Sequence, residues 1–257
     1  MIENPDVDGT YRIHVMVPAG DQVSAHWAMS FANMIGYTIG HIGNKVTLHT
    51  AARIGTYVHR AREDLIRDAE EAGGHYILWC DTDHKFPPDA LIRLLAHDKA
   101  MVGINYPTRR MPPRYVAIKR TAIEHPGAGK LCETRRDSEG LETVEALGFG
   151  LVLMKMAILP TLPKEGPWFF FEHNDNGKHV GEDVWFCRLV RQAGWEIHVD
   201  HDLSKDCSHM GTLEYRLDHV WALQEETEDY HVDYDVCGTT DGGGELDEPE
   251  RPDESDA

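Results

Sequence analysis

No apolar run in this sequence approaches the roughly 20 residues that a membrane-spanning helix requires. The opening residues, MIENPDVDGTYRIHV, contain neither a basic segment nor an apolar one of signal-peptide type, so the expected address is the cytoplasm. Paired cysteines are absent as well. Cys80, Cys132, Cys187, Cys207 and Cys237 form no C-x-x-C spacing, and the chain is far longer than a disulfide-stapled scaffold. They are expected to be reduced thiols, mostly packed. Positive charge is scarce, with 25 Lys and Arg against 44 Asp and Glu. That balance argues mildly against tight duplex binding, which needs a basic face.

The acidity is unevenly placed. From Glu225 to Ala257 there are 14 acidic residues and one basic residue, Arg251, so this segment holds −13 of the total −19 and the body only −6. Rich in Gly, Asp, Glu and Pro, the segment cannot bury enough apolar surface to fold alone. The expected division is a folded domain over residues 1–224 and a disordered acidic tail over 225–257. With 41% hydrophobic residues the body can bury a substantial core.

Within the body, strand-like and helix-like stretches alternate. YRIHVMVP (11–18) reads as a strand and is followed by helical spacing from about Val23 to Gly36; VTLHT (46–50) is a candidate second strand. TYVHRAREDLIRDAEEA (56–72) is amphipathic and is stopped by Gly73 and Gly74. HYILWC reads as a strand, PPDALIRLLAH as a helix with proline and aspartate in its first turn, and AMVGINY as another strand. Such alternation predicts an α/β protein with a mostly parallel sheet flanked by helices.

Asp81 and Asp83 then stand at the carboxyl end of a strand, where open α/β sheets bind ligands. Two acids at i and i+2 on a turn can face one hard cation, and Mg2+ or Mn2+ takes carboxylate and phosphate oxygens together. The alternative, a helix-capping role for Asp83, suits Asp89 or the Pro87-Pro88 turn better.

The segment ILWCDTDHKFPPDALIRLLAHDKAMVGINYPTRR resembles the centre of GT-A (Rossmann-like) glycosyltransferases, in particular family-2-like enzymes often encoded by bacteriophages. The likeness runs from VMVPAG near the N-terminus to CSHMG at 207–211. It implies that Asp81 and Asp83 bind Mn2+ or Mg2+ and, through it, the diphosphate of a nucleotide-sugar donor, a UDP-sugar being the typical case. EALGFGLVLMKMAILPTLP (145–163) is similar to the family's Gly-x-Gly stretch lining the sugar and acceptor pocket. Gly148 and Gly150 let a backbone approach a ligand closely, although a strand bulge explains glycine equally well.

GEDVWFCRLVRQAGWEIHVD (181–200) begins with adjacent acids and continues as a helix stopped by Gly194, then a strand. Acids at a helix N-terminus complement its dipole, which is a structural reason for Glu182 and Asp183. The resemblance adds a catalytic one. An inverting transfer needs a general base for the acceptor hydroxyl, with Asp183 the first choice and Glu182 the second; a retaining enzyme stays open. His209, in KDCSHMG, corresponds to a third metal ligand. The rival assembly of His198, His201, Cys207 and His209 into a zinc site matches no closed zinc spacing.

Donor contacts are expected near Asp21, after the first strand, and at Arg62, where the family commonly has Arg-Asn and this chain has Glu63 next. Arg109 and Arg110, beyond AMVGINY, can face phosphate with their guanidinium forks or form a solvated basic turn. PTRRMPPRYVAIKR (107–120) is the candidate contact for a polymeric acceptor, with a plain exposed loop as the alternative. The resemblance implies a hydroxyl acceptor such as a modified phage DNA base or a virion protein, and hence a host cytoplasmic location. The competing class, a nucleotidyltransferase or other Mg2+-dependent nucleotide-binding enzyme, calls for a basic loop after the first strand; PAGDQVSAHW has no Arg or Lys.

Overall fold

In the computed structural model, which describes residues 5–6, 9–55, 57–119, 130–173, 179–211 and 214–226, the apolar run YILWC organises the molecule. Along the chain the elements are β1 (Tyr11–Ala19), α1 (Ala25–Ile42), β2 (Val46–Ile54), α2 (Val58–Ala72), β3 (Tyr76–Cys80), β4 (His84–Lys85), α3 (Ala90–Ala96) and β5 (Met101–Gly103). Then come β6 (Ile118–Lys119), β7 (Leu141–Ala146), β8 (Leu151–Lys155), a 3-10 helix over Met156–Thr161, β9 (Glu172–His173) and β10 (His179–Val180). The described part closes with α4 (Glu182–Gln192), β11 (Ile197–Asp200), α5 (His201–Lys205), β12 (Ser208–Met210), β13 (Glu214–Tyr215) and α6 (Leu217–Glu226).

The protein is a mixed α/β structure with helices on both faces of an eight-stranded sheet in the order β2-β1-β3-β8-β5-β11-β7-β6. β8 and β7 run against the other six strands. All five β3 residues are buried, as expected for a strand covered on both sides. Ile77 and Trp79 meet Leu65 and Ile66 of α2 and Phe186 of α4. Tyr76, Leu78 and Cys80 face the opposite core, with Trp27 and Met34 of α1 and Leu91 and Leu94 of α3.

Several elements differ from their expected bounds. α1 begins after Ser24, whose hydroxyl accepts from Trp27 N at 3.0 Å, and continues through Gly36 to Ile42. Its buried stripe, Trp27, Ser30, Met34 and Thr38, runs past the glycine, and packing overrides the glycine's poor helix propensity. β2 reaches Ile54, because all nine of its residues pair with β1. AMVGINY is a strand only over Met101–Gly103. Two residues later, buried Asn105 satisfies its side chain on Cys132 O (2.7 Å) and Ala117 N (3.1 Å). Gly73, at φ +65°, ends α2 as expected.

α6 seats Leu217, Val220 and Trp221 against Tyr115, and Trp221 Nε1 donates to Thr134 O at 2.7 Å. Glu225 pairs with Arg136 at 2.5 Å, so the expected tail boundary at 225 falls inside a helix. The remainder of that tail, 227–257, lies outside the described residues, as do Thr56 and Arg120. Cys80, Cys132, Cys187 and Cys207 are free and buried. Among the described residues no helix is long and apolar enough to cross a membrane.

Candidate active site

The register at the carboxyl end of the sheet brings three separate segments together. Asp81 N donates to Gly150 O at 3.0 Å, which fixes the D-x-D turn beside the Gly-x-Gly stretch entering β8. A second, three-stranded sheet, β13-β12-β4, pairs His209 with His84 and so carries β12 to the same turn. Met210 N completes this by donating to Asp83 O at 2.6 Å.

Asp81 belongs to a buried charge cluster. Arg62 of α2, only 3% exposed, donates from Nη2 to both Asp81 oxygens at 2.8 Å, and its Nη1 lies 3.5 Å from Glu182 Oε1. The guanidinium also sits 4.9 Å above the Phe149 ring. Burial opposes the Arg62 charge, but Asp81, Glu182 and Asp183 outweigh it and raise the Arg62 pKa. For Asp81 the balance goes the other way, and burial leaves its carboxyl above the ordinary value despite Arg62.

Asp183 lies in the first turn of α4 and folds back so that Val184 N donates to its Oδ1 at 2.7 Å. Gly181 permits this, since a Cβ there would meet Asp183 Oδ1 at 2.7 Å. Burial first, and the adjacent Glu182 charge second, raise the Asp183 pKa to about 6 against the pull of Arg62. A carboxylate at that value is ionised at neutral pH and basic enough to take a proton.

Asp83 has different company. His209 Nε2 lies 3.3 Å from Asp83 Oδ2, and His209 Nδ1 sits 2.9 Å from Pro107 O. A carbonyl only accepts, so Nδ1 carries a hydrogen, and Nε2 faces a carboxylate oxygen that accepts as well. A proton on Nε2 completes that contact as a hydrogen bond; a cation held by both atoms completes it otherwise. Burial works to raise the Asp83 pKa, but contacts from His209 and His84 prevail and lower it, keeping the carboxylate ionised. His84 is itself held neutral by burial.

Ligand atoms of Asp83, His84 and His209 lie within 4.8 Å of one another, close enough to hold a metal ion. The His84 and His209 rings stack at 4.4 Å with an interplanar angle of 13°. Lone pairs lie in the ring planes, and one ion cannot lie in two nearly parallel planes, so Asp83 Oδ2 and His209 Nε2 are the ligands this arrangement offers. His84 supports them, with Nδ1 at 2.8 Å from Asp83 Oδ1 yet out of line for a hydrogen bond. The residues therefore fit a divalent cation, with phosphate or water oxygens completing its shell.

The sequence-derived candidates thus divide into two neighbouring groups, Arg62, Asp81, Glu182 and Asp183 in one, and Asp83, His209 and Arg109 in the other. Arg109 Nη1 is 3.1 Å from Asp83 Oδ2. Asp81 is turned towards Arg62 and is absent from the converging ligand atoms. Gly148 and Gly150 serve the site indirectly: a Cβ at Gly148 would strike the Tyr106 hydroxyl, and one at Gly150 the His84 ring. Asp21 is exposed on the loop after β1 and makes none of the contacts of either group.

The rival zinc set is dispersed. His201 bonds Thr134 Oγ1 and Glu142, Cys207 is packed in the core, and His198 lies within β11. Cys132, Glu142 and His201 form a second cluster of possible ligands. Glu142 accepts, so His201 Nε2 donates to it, and His201 Nδ1 is satisfied by the Thr134 hydroxyl, which also accepts from Asn105 Nδ2. Lys119 Nζ, 3.4 Å from Glu142, balances the charge, and no cation is called for.

Three site residues escaped sequence reasoning: His84, Phe149 and Tyr106. Tyr106 is buried with its ring 4.3 Å from His84 and 5.1 Å from His209. Burial, and then the charges of Asp81, Asp183 and Asp83, raise its pKa well above the ordinary value. Its signal was its place at the end of AMVGINY, on the same sheet edge as Asp81.

No family model matches the chain. No curated protein matches it either. Solved structures do match. A197 from STIV aligns with a TM-score of 0.47 and 14% identity over 78% of this chain and 86% of that one. GalNAc-T7, solved with UDP, GalNAc and Mn2+, aligns with a TM-score of 0.46 and 11% identity over 82% of this chain but only 44% of its own. At these scores the alignments assign no residue a role.

Proposed function

We propose that the protein is a metal-dependent glycosyltransferase that moves a sugar from a nucleotide-sugar, a UDP-sugar in the first instance, to a hydroxyl acceptor. The observation that carries this reading is the approach of His209 Nε2 to Asp83 Oδ2 at 3.3 Å, with the paired acids of α4 joined to the same strand end through Arg62. Bound Mn2+ or Mg2+ would balance charge building on the leaving diphosphate. An imidazole among the ligands favours Mn2+ over Mg2+.

The chain's own groups supply the rest. Asp183 takes the proton of the acceptor hydroxyl, with Glu182 next in line. Arg62 clamps Asp81 and Glu182, which holds the strand end and the start of α4 in one geometry. Tyr106, with Gly148 behind its hydroxyl, packs against the His84 and His209 rings and keeps water from that side of them. A modified DNA base or a virion protein side chain is the proposed acceptor class, and the division into a catalytic domain that runs to the end of α6 and an acidic appendage after it belongs to the same reading.

Thermal unfolding against a panel of nucleoside diphosphates and nucleotide-sugars, with and without Mn2+, tests it, because a ligand specific for the folded state raises stability. A metal-dependent shift with one nucleotide, lost in Asp83→Ala, is the expected result. Absence of any shift at concentrations well above usual donor affinities would make Asp81 and Asp83 structural acids. Transfer of a nucleoside monophosphate group from a nucleoside triphosphate to an acceptor, with release of pyrophosphate and no sugar transfer, would move the protein to the nucleotidyltransferases.

A further inference from the structure

One oxygen at the D-x-D turn is claimed twice. Asp83 Oδ2 faces His209 Nε2 at 3.3 Å and Arg109 Nη1 at 3.1 Å. The surroundings of this oxygen are otherwise fixed: the Asp83 carbonyl accepts from Met210 N, and the His209 ring is held by Pro107 O and stacks on His84. Arg109 differs from all of these. Its side chain is 50% exposed, and its other contact, Met210 O at 3.5 Å, is at the outer limit of a hydrogen bond. A divalent ion bridging Oδ2 and Nε2 would sit against the guanidinium, and like charges at contact distance repel.

We propose that Arg109 is a displaceable counter-cation. It neutralises Asp83 while no divalent ion is bound, leaves Oδ2 when an ion takes that oxygen together with His209 Nε2, and then turns its planar fork to the diphosphate arriving with the ion. The proposal rests on the reading of this site as one for a cation and a diphosphate. Arginine suits both stations, since its donors match a carboxylate in one and a pair of phosphate oxygens in the other. Arg109 is thus a positioning residue whose two tasks oppose each other: it weakens binding of the ion alone and strengthens binding of the ion with its phosphate ligand.

Calorimetric titration of the full-length protein tests the opposition, with Mn2+ alone as one probe and inorganic pyrophosphate in saturating Mn2+ as the other. Asp83→Asn defines the heat that belongs to other carboxylates. Arg109→Gln is expected to tighten Mn2+ binding by up to about fivefold, the scale of a half-exposed ion pair, and to weaken pyrophosphate binding by about as much or more. Lys85→Gln removes a neighbouring exposed charge, one that pairs with Glu214, without touching Oδ2, and should not reproduce the opposed changes. Unchanged or weaker Mn2+ binding in Arg109→Gln, or the same tightening in Lys85→Gln, would overturn the proposal. Equal Mn2+ binding by wild type and Asp83→Asn would overturn the cation reading, and the proposal with it.

Discussion

His209 and Asp83 stand 126 residues apart in sequence, yet His209 Nε2 reaches to 3.3 Å from Asp83 Oδ2. The contact depends on β12 pairing with β4, two short strands outside the main sheet. His209→Ala is therefore expected to remove Mn2+-dependent thermal stabilisation as completely as Asp83→Ala does. The check is the unfolding midpoint with and without Mn2+, and retention of the metal-dependent shift in His209→Ala would place the ion elsewhere.

Asp183 supplies a pH signature. Below its raised pKa of about 6 the carboxyl is protonated and cannot accept a proton, so kcat/KM should fall tenfold per pH unit on the acid side. Glu182→Gln removes a neighbouring negative charge and should move that limb to lower pH. Asp183→Asn should bind donor and turn over nothing; wild-type turnover there would shift the base to Glu182.

The same shift acts on stability. A carboxyl whose pKa is raised on folding binds its proton more tightly in the folded state, which stabilises the protein below the ordinary value of 3.8. That contribution is lost as pH rises through about 6. Urea denaturation of Asp183→Asn between pH 4 and pH 8 should show a flatter stability profile than wild type.

Arg62 is the counter-charge on which Asp81 and Glu182 depend. Arg62→Met should destabilise the fold by on the order of 3 kcal/mol, because breaking a buried pair strands its partners. The deficit should shrink at acid pH, where the stranded Asp81 carboxyl, already raised by burial, protonates, and Asp81→Asn combined with Arg62→Met should recover part of it. Additive losses in the double variant would argue against direct coupling.

Gly150→Ala should cost about 1–3 kcal/mol by overpacking, since its new methyl group meets the His84 ring in a buried site. The displaced ring should also weaken Mn2+ binding. A stability loss with unchanged Mn2+ affinity would show that His84 packs without supporting the ligands.

How legible this site was depended on how local its signals are. Asp81 and Asp83 were readable because an apolar run ending in acids is visible within ten residues, and Gly73 marked the stop of α2 for a similar reason. β8 was not assigned as a strand: Leu151–Lys155 is a short apolar run, which periodicity alone cannot tell from a helical segment. Its antiparallel place between β3 and β5 is a fact of the sheet and leaves no trace in the five residues. His84 and Tyr106 were missed because their roles arise from Gly150 and Gly148 behind them, contacts made across distant segments. His209 was reached through family likeness alone, sixteen histidines giving no local reason to prefer one.

The pairing of β12 with β4 also governs when the site comes into being. During synthesis the D-x-D turn emerges more than a hundred residues before its histidine partner. β11 must still insert between β5 and β7 to complete the central sheet. A nascent chain ending ahead of Ser208 has its acids but no His209 ring and no Met210 amide to fix the turn. The proposed cation pair, Asp83 and His209, therefore forms only once β12 has docked on β4.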